Sequence, residues 1–299
     1  KTEYMYQQVV KEAAEHPRRN YLVVVPEQFT MQTQRKLVDL SENHAIMNID
    51  ILSFQRLAYR IFDELGMKQI DILEETGKNL VLRKIAQEQE EKLSVLKGNM
   101  HRMGYIGEVK SLISELMQYN VAPEQLEECI NEAALSPVLT AKLKDVHVMY
   151  QEFTKFLEGN YITAEELLHV LAGVADESSI LKESVLILDE FTGFTPVQVE
   201  LLQKLMSICS EIWVALTIDE RENFFYSKGM QELFDMPKKT IRVLTDLAQK
   251  THTEILEPIV ISGGDKKRFK DAPALYFMEQ NLFRSSYKRM HGQTKEIQM

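Results

Sequence analysis

Two adjacent carboxylates, Asp189 and Glu190, close a run of four branched apolar residues, Val185-Leu186-Ile187-Leu188, in the stretch SVLILDEFTGFTPVQ from Ser184 to Gln198. Such a run predicts a strand buried on both faces. In open parallel sheets ligands bind beyond the carboxyl ends of the strands, where loops and helix N-termini converge. Acids in that place have the form of a Walker B element: Asp189 would hold Mg2+, usually through water, and Glu190 would orient or deprotonate an attacking water. One acid cannot do both, so the pairing matters. By themselves the two acids also fit plain polar punctuation at a strand end.

The opening residues supply the complementary chemistry. A phosphate-binding loop ends Gly-Lys-Ser/Thr at the start of a helix, its Lys reaching the outer phosphates and its hydroxyl reaching Mg2+. Lys1-Thr2 stands directly before a helical pattern that leads into a buried strand. The candidate nucleotide residues are therefore Lys1 and Thr2, with Thr2 and Asp189 as metal ligands. The chain opens Lys-Thr-Glu-Tyr without Met, so an upstream segment is expected. All of this requires Lys1-Thr2 and Asp189-Glu190 to meet at one rim of one sheet.

The elements that must position them follow from periodicity. Tyr4, Met5, Val9, Val10 and Ala13 recur at helical spacing over Glu3 to Ala14; HPRRN breaks the pattern and YLVVV, closed by Pro26, reads as a buried strand. A helix over Thr30 to Leu40 leads to a second strand in AIMNIDIL, and Ser53 caps the helix FQRLAYRIFDELG, which Gly66 ends. This alternation predicts a parallel sheet covered by helices. The next strand is VLIL; between them GKNLVLRKIAQEQ, YIGEVKSLISELMQYN, VLTAKLKDVHVMYQEFTKFLEGN and TAEELLHVLAGVA are helical, the last with a Thr163/Glu166 capping box. A structureless loop of that length is implausible, so an inserted helical subdomain is expected. After VLIL come a helix capped by Thr195 with Pro196 and Gln198, a strand EIWVALTID, a helix around Lys239 to Gln249, a strand EPIVIS, a polar Gly-Gly-Asp-Lys-Lys loop, a helix in ALYFMEQNLF and the start of a strand in KEIQM. The expected division is 1–68 and 183–299 as two parts of one α/β core, the second with a helical and irregular extension, and 69–182 as the insertion.

Of the 299 residues, 44% are hydrophobic and 27% charged, a globular rather than disordered balance. Cys129 and Cys209 are far apart and lack metal-site spacing, which fits a reducing cytoplasmic setting; the apolar runs are too short to span a membrane. The net charge of -10 argues against a broadly basic duplex-binding surface, and Arg18-Arg19 and Lys266 to Arg268 read as solvated clusters. The residues leave two readings open: a Mg-dependent P-loop NTPase with a helical lid, or a non-enzymatic protein-interaction module.

LVVVPEQFTMQTQRKL, IDILSFQRLAYRIF, LISELMQYNVAPEQL and VLILDEFTGFTPVQVELL, in that order, resemble the N-terminal helicase-like region of the AddB family, the B subunits of bacterial ATP-dependent helicase/deoxyribonucleases. The resemblance covers nearly the whole chain. It implies a RecA-like parallel sheet of the superfamily 1 helicase type (domain 1A) with an all-helical subdomain (1B) inserted, and a role in processing DNA double-strand breaks for recombinational repair. Lys1 and Thr2 become the tail of a Gly-Lys-Thr loop for ATP, and Asp189 and Glu190 the Walker B pair. The segments holding Gln28 and Ser53-Phe54 match motifs bordering a single-stranded DNA track, although Phe54 at the start of an amphipathic helix fits a core role better and Gln28 fits a turn cap.

The same resemblance implies single- and double-stranded DNA ends and an AddA subunit, in a heterodimer, as partners. A 4Fe-4S cluster is expected only in a C-terminal nuclease domain downstream. Two departures put coupled hydrolysis in doubt. Thr192 stands where superfamily 1 motors carry Gln two residues after the Walker B Glu, and Glu220-Arg221-Glu222 stands where they carry a phosphate-sensing Gln. Without a second RecA-like domain, this piece is expected to hydrolyse ATP poorly or not at all.

Overall fold

The computed structural model describes residues 1–67, 72–158, 161–219, 221–261, 269, 271–282 and 288–291. The expected Gly-Gly-Asp-Lys-Lys loop, the Lys266 to Arg268 cluster, the KEIQM strand and Glu220 lie outside the described residues.

Four strands, β1 (Tyr21–Val24), β2 (Ile49–Leu52), β3 (Val185–Leu188) and β4 (Glu211–Val214), form one all-parallel sheet in the order β2-β1-β3-β4. Tyr21 is level with Ile49 on one side and Val185 on the other, and Val185 with Glu211. Parallel neighbours need crossovers. Helix α1 (Thr2–Glu15) precedes β1; α2 (Thr30–Leu40) joins β1 to β2; α3 (Phe54–Glu64) follows β2; α10 (Pro196–Ile208) joins β3 to β4. The two central strands are buried at every position, and the outer two are only partly covered, which is where AIMNIDIL and EIWVALTID shorten to four residues each.

Side-chain alternation splits the strands between two cores. Leu22, Val24, Leu186 and Leu188 pack with α3, α8 (Leu167–Val174) and α10 on one face. Tyr21, Val23, Val25, Val185 and Ile187 pack with α1 and Leu37 of α2 on the other. Each fully buried Leu, Ile or Val contributes roughly 1.5–3 kcal/mol, so the central strands anchor the fold.

A third apolar cluster lies on α4 (Glu75–Glu88), α5 (Met103–Gln118), α6 (Pro123–Glu132) and α7 (Pro137–Leu157). Pro123 is the first residue of α6, where a missing N–H costs nothing. The chain enters and leaves this region at one place: Leu73 N–H donates to the Ile162 carbonyl at 2.8 Å. Helix α9 (Ser179–Lys182) then leads to β3.

Local signals hold where the hydrogen bonds can be read. Ser53 Oγ accepts from Arg56 N–H at 3.3 Å, and at the other end of α3 Gly66 has φ +62°, with Met67 N–H donating to the Phe62 carbonyl. Thr195 and Gln198 cap α10 reciprocally. Helix α11 (Asp235–Lys250) is longer than expected, and α12 (Pro273–Asn281) matches ALYFMEQNLF. One expectation is corrected: EPIVIS is not a strand. Residues 257–261 pair with none of the four strands, and Ile259, Val260 and Ile261 are exposed, because an apolar run becomes a strand only where it finds an edge to pair with.

Candidate nucleotide-binding site

With all strands parallel, their carboxyl ends share one rim. Val25 N–H donates to Leu52 C=O, Asp189 N–H to Val24 C=O and Ala215 N–H to Leu188 C=O, at 2.9, 3.2 and 3.0 Å, so the four chains leave the sheet level with one another. Helix α1 reaches β1 through five residues and so returns its own N-terminus to this same rim. Lys1 is its N-cap without a side-chain capping bond, and Thr2 is its first helical residue.

Here the two ends of the expected site meet. Lys1 Nζ lies 3.0 Å from Asp189 Oδ1 and 3.5 Å from the Ala215 carbonyl; Thr2 Oγ1 donates to Glu190 Oε1 at 3.1 Å. Asp189 is completely buried. Its Oδ2 atom has no hydrogen-bond partner among the described residues. A buried carboxylate oxygen without a partner is costly, by roughly 1–3 kcal/mol or more. Glu190 has φ +63°, a left-handed conformation that a side chain other than glycine adopts at a cost of about 1–3 kcal/mol.

The arrangement suits a nucleotide and a hard cation. The amides of the first turn of α1 carry no side-chain cap, and with the Lys1 ammonium they favour phosphate. The unpaired Asp189 oxygen, the Thr2 hydroxyl and the Glu190 carboxylate are the oxygen donors Mg2+ takes, and Mg2+ bound beside phosphates needs only one or two carboxylates. Cys129 and Cys209 are free, one on α6 and one after α10, and do not fit an iron-sulfur cluster.

The remaining candidates fall into place around the rim. Gln28 is exposed on a short turn, Glu27–Phe29, after β1. Glu27 of that turn pairs with Arg56 at 2.7 Å, tying it to α3. Ser53 is buried and uses its hydroxyl as the α3 cap. Phe54 is 5% exposed, its ring 5.4 Å from Phe191 and 6.4 Å from Phe194 between centroids. A ring enclosed in this way cannot stack on a base without leaving the core. Its role here is to anchor the loop that follows the two acids.

That loop is also held from the other side, where Thr240 Oγ1 donates to the Thr192 carbonyl at 3.0 Å. Beyond β4, Arg221 folds back on Asp219 with Nε 3.0 Å from Oδ1. Arg18 and Arg19 lie at the opposite rim, beside an open groove of about 590 Å³ whose walls carry both signs of charge. Arg19 is engaged there by Ser210 and Glu211 at 2.7 and 2.8 Å. The groove is far from the acids, and size alone does not mark the chemistry.

Sequence reading missed three participants. The Ala215 carbonyl leaves no mark in residue type because it is backbone. Phe191 and Phe194 were legible as an F-x-x-F spacing that can present two rings to one partner.

The sequence model of the family described as "ADDB, N-terminal" matches residues 1–279. A curated relative from Lachnoclostridium phytofermentans, named as the B subunit of an ATP-dependent helicase/deoxyribonuclease, is 39% identical over 99% of this chain. Relatives of the same name from Clostridium kluyveri and Clostridium novyi are 30% and 27% identical over 99% and 100% of it. The chain spans only 26% of the length of each of these relatives.

Proposed function

The chain belongs to the family of AddB N-terminal regions, and from that premise we propose that it is the nucleotide- and DNA-holding part of a helicase-nuclease subunit that processes double-strand breaks for recombinational repair. The α/β core is read as a RecA-like domain built from residues 1–68 and 183–299. Residues 69–182 are read as the inserted helical subdomain, supported by the separate apolar cluster on α4 to α7 and by the shared entry and exit at Leu73 and Ile162. Family membership replaces the reading of an NTPase from another family.

The observation that carries the proposal is the convergence of Lys1 with Asp189 and of Thr2 with Glu190 across 188 residues of sequence. In it Lys1 and the α1 amides hold the phosphates of ATP. Thr2 and Asp189 hold Mg2+, which when bound neutralises phosphate charge. Glu190 orients water. Lys1 must release Asp189 as it takes phosphate, so the ion pair is the resting arrangement of the site.

Thr192 and the stretch Glu220-Arg221-Glu222, in places where motors carry Gln, make binding rather than rapid turnover the expected behaviour of this site. The turn carrying Gln28 and the Ser53 backbone border the single-stranded DNA track, with Phe54 supporting them from within. The partners are DNA ends and an AddA motor subunit, in the cytoplasm; among the described residues no helix is long and apolar enough to cross a membrane.

The test uses the full-length subunit. Asp189→Ala should lower its affinity for Mg-ATP at least tenfold while its unfolding midpoint stays near the parent's. Equal affinity in variant and parent would remove the nucleotide role.

A further inference from the structure

The nucleotide end of the molecule contains a buried tyrosine hydroxyl that the proposed chemistry does not use. Tyr6 lies one helical turn after Thr2 on α1, so its side chain falls on the face that meets the two acids. It is 1% exposed. Its hydroxyl is 3.3 Å from Oγ1 of Thr33, which is 3% exposed on α2. Asp189, fully buried at the same rim and close enough for its charge to act on the Tyr6 hydroxyl, has Oδ1 taken by Lys1 and Oδ2 unpartnered among the described residues.

We propose that Tyr6 is a positioning residue for the Asp189 carboxylate, and that its hydroxyl, already held by Thr33, completes a buried polar chain from α2 to the nucleotide site by donating to the free Oδ2 oxygen when Lys1 turns to phosphate. This rests on the nucleotide reading above and deepens it. The chemistry has a definite direction. Thr33 can donate to the phenolic oxygen, and Tyr6 then donates its own proton toward the acid; serial hydrogen bonds polarise one another in a low-dielectric interior. Burial, then the Asp189 and Glu190 charges, push the Tyr6 proton affinity well up, so the group meets the acid as a neutral O–H donor.

Two consequences follow for the site. A carboxylate that loses Lys1 to phosphate would otherwise stand charged and free to rotate in a dry pocket, and an O–H donor beneath it holds its plane for the metal. Thr33 lies on the helix that begins directly after the turn carrying Gln28. Movement of that turn therefore reaches Asp189 through two hydroxyls and no charged side chain.

Magnesium dependence separates positioning from simple packing. In the full-length subunit, ATP affinity is measured with Mg2+ and with EDTA for the parent, Tyr6→Phe, Thr33→Val and Asp189→Ala. Tyr6→Phe keeps the ring that fills the core and removes only the hydroxyl. It should weaken Mg-ATP binding about tenfold, the low end for one hydrogen bond to a charged group, and leave the metal-free affinity within about twofold. Thr33→Val should act in the same direction by a smaller factor, and decides the matter if Tyr6→Phe folds poorly. Equal loss in both conditions, or parental behaviour in Tyr6→Phe beside a clear Asp189→Ala defect, overturns the positioning role alone. Parental magnesium dependence in Asp189→Ala overturns the nucleotide reading and this inference with it.

Discussion

Lys1 Nζ and Asp189 Oδ1, 188 residues apart in sequence, are 3.0 Å apart in the fold, and the acid is wholly buried while the lysine is 28% exposed. The pair holds the start of α1 against the end of β3. Lys1→Met leaves a buried carboxylate without a compensating charge and should destabilise the protein by about 1–3 kcal/mol. Adding Asp189→Asn removes the charge that was stranded and should return part of the loss. Urea unfolding of the two variants checks this. No loss in Lys1→Met would mean that the ammonium does not neutralise the acid in solution.

Ser53 separates a structural from a nucleic-acid role. Ser53→Ala removes the α3 cap and should cost about 1 kcal/mol. Ser53→Asp keeps a capping acceptor and should retain stability, but adds a negative charge at the proposed DNA track. In the full-length subunit it should weaken single-stranded DNA binding severalfold, measured by fluorescence anisotropy at low salt. Parental DNA binding in Ser53→Asp would move the track away from this turn.

The helical region contains a buried ion pair. Lys78, 2% exposed, lies 2.8 Å from a Glu165 oxygen, and Glu165 is 8% exposed. Glu75 bridges Lys78 and Lys110 at its edge. Lys78→Met alone should destabilise by about 3–5 kcal/mol, because it strands a buried acid, whereas Lys78→Met with Glu165→Leu should recover most of that. Thermal unfolding of the single and double variants gives the comparison, and equal losses would refute the stranded charge.

The same pair predicts an acid limb. Burial works to raise the Glu165 pKa, but the Lys78 hydrogen bonds and charge outweigh it, and Glu165 titrates below the usual glutamate range. A folded-state pKa below the unfolded one gives stability that is complete above about pH 4.5, the unfolded value, and is lost as pH falls through the folded value. Stability measured from pH 7 to 3 should therefore fall more steeply in the parent than in the Lys78→Met, Glu165→Leu variant. Parallel curves would show that the pair contributes nothing to the acid limb.

Asp145 on α7 accepts from the Ser94, Val95 and Leu96 amides and from the Ser94 hydroxyl, at 2.7 to 3.1 Å. Asp145→Ala leaves those donors unpaired, at about 1–3 kcal/mol for each that water cannot reach, and of the three residues Leu96 is the buried one. Hydrogen exchange at residues 94–96 should accelerate at least tenfold in this variant, with the β1 and β3 amides unaffected. Unchanged exchange at 94–96 would show that the carboxylate does not hold the turn.

What could be read in the linear chain was whatever depends on neighbours in sequence. YLVVV and VLIL announced the central strands because a strand covered on both faces needs apolar residues at every position. Ser53, Gly66, Thr195 and Gln198 announced helix ends because caps act within four residues. Asp189-Glu190 announced chemistry because two acids after an apolar strand can stand only at its rim.

Pairing across distance was settled by tertiary structure. Residues 257–261 have strand composition but pair with none of the four strands. Phe54 read as a core residue in the sequence, but that Phe191 and Phe194 are the rings packed against it is visible only in the fold. The contacts of Lys1 with Asp189 and of Tyr6 with Thr33 depend on α1 returning to the carboxyl rim and packing beside α2. Short-range preferences are encoded in residue type and spacing. Which distant groups end up sharing a low-dielectric pocket is set by how the helices cover the sheet.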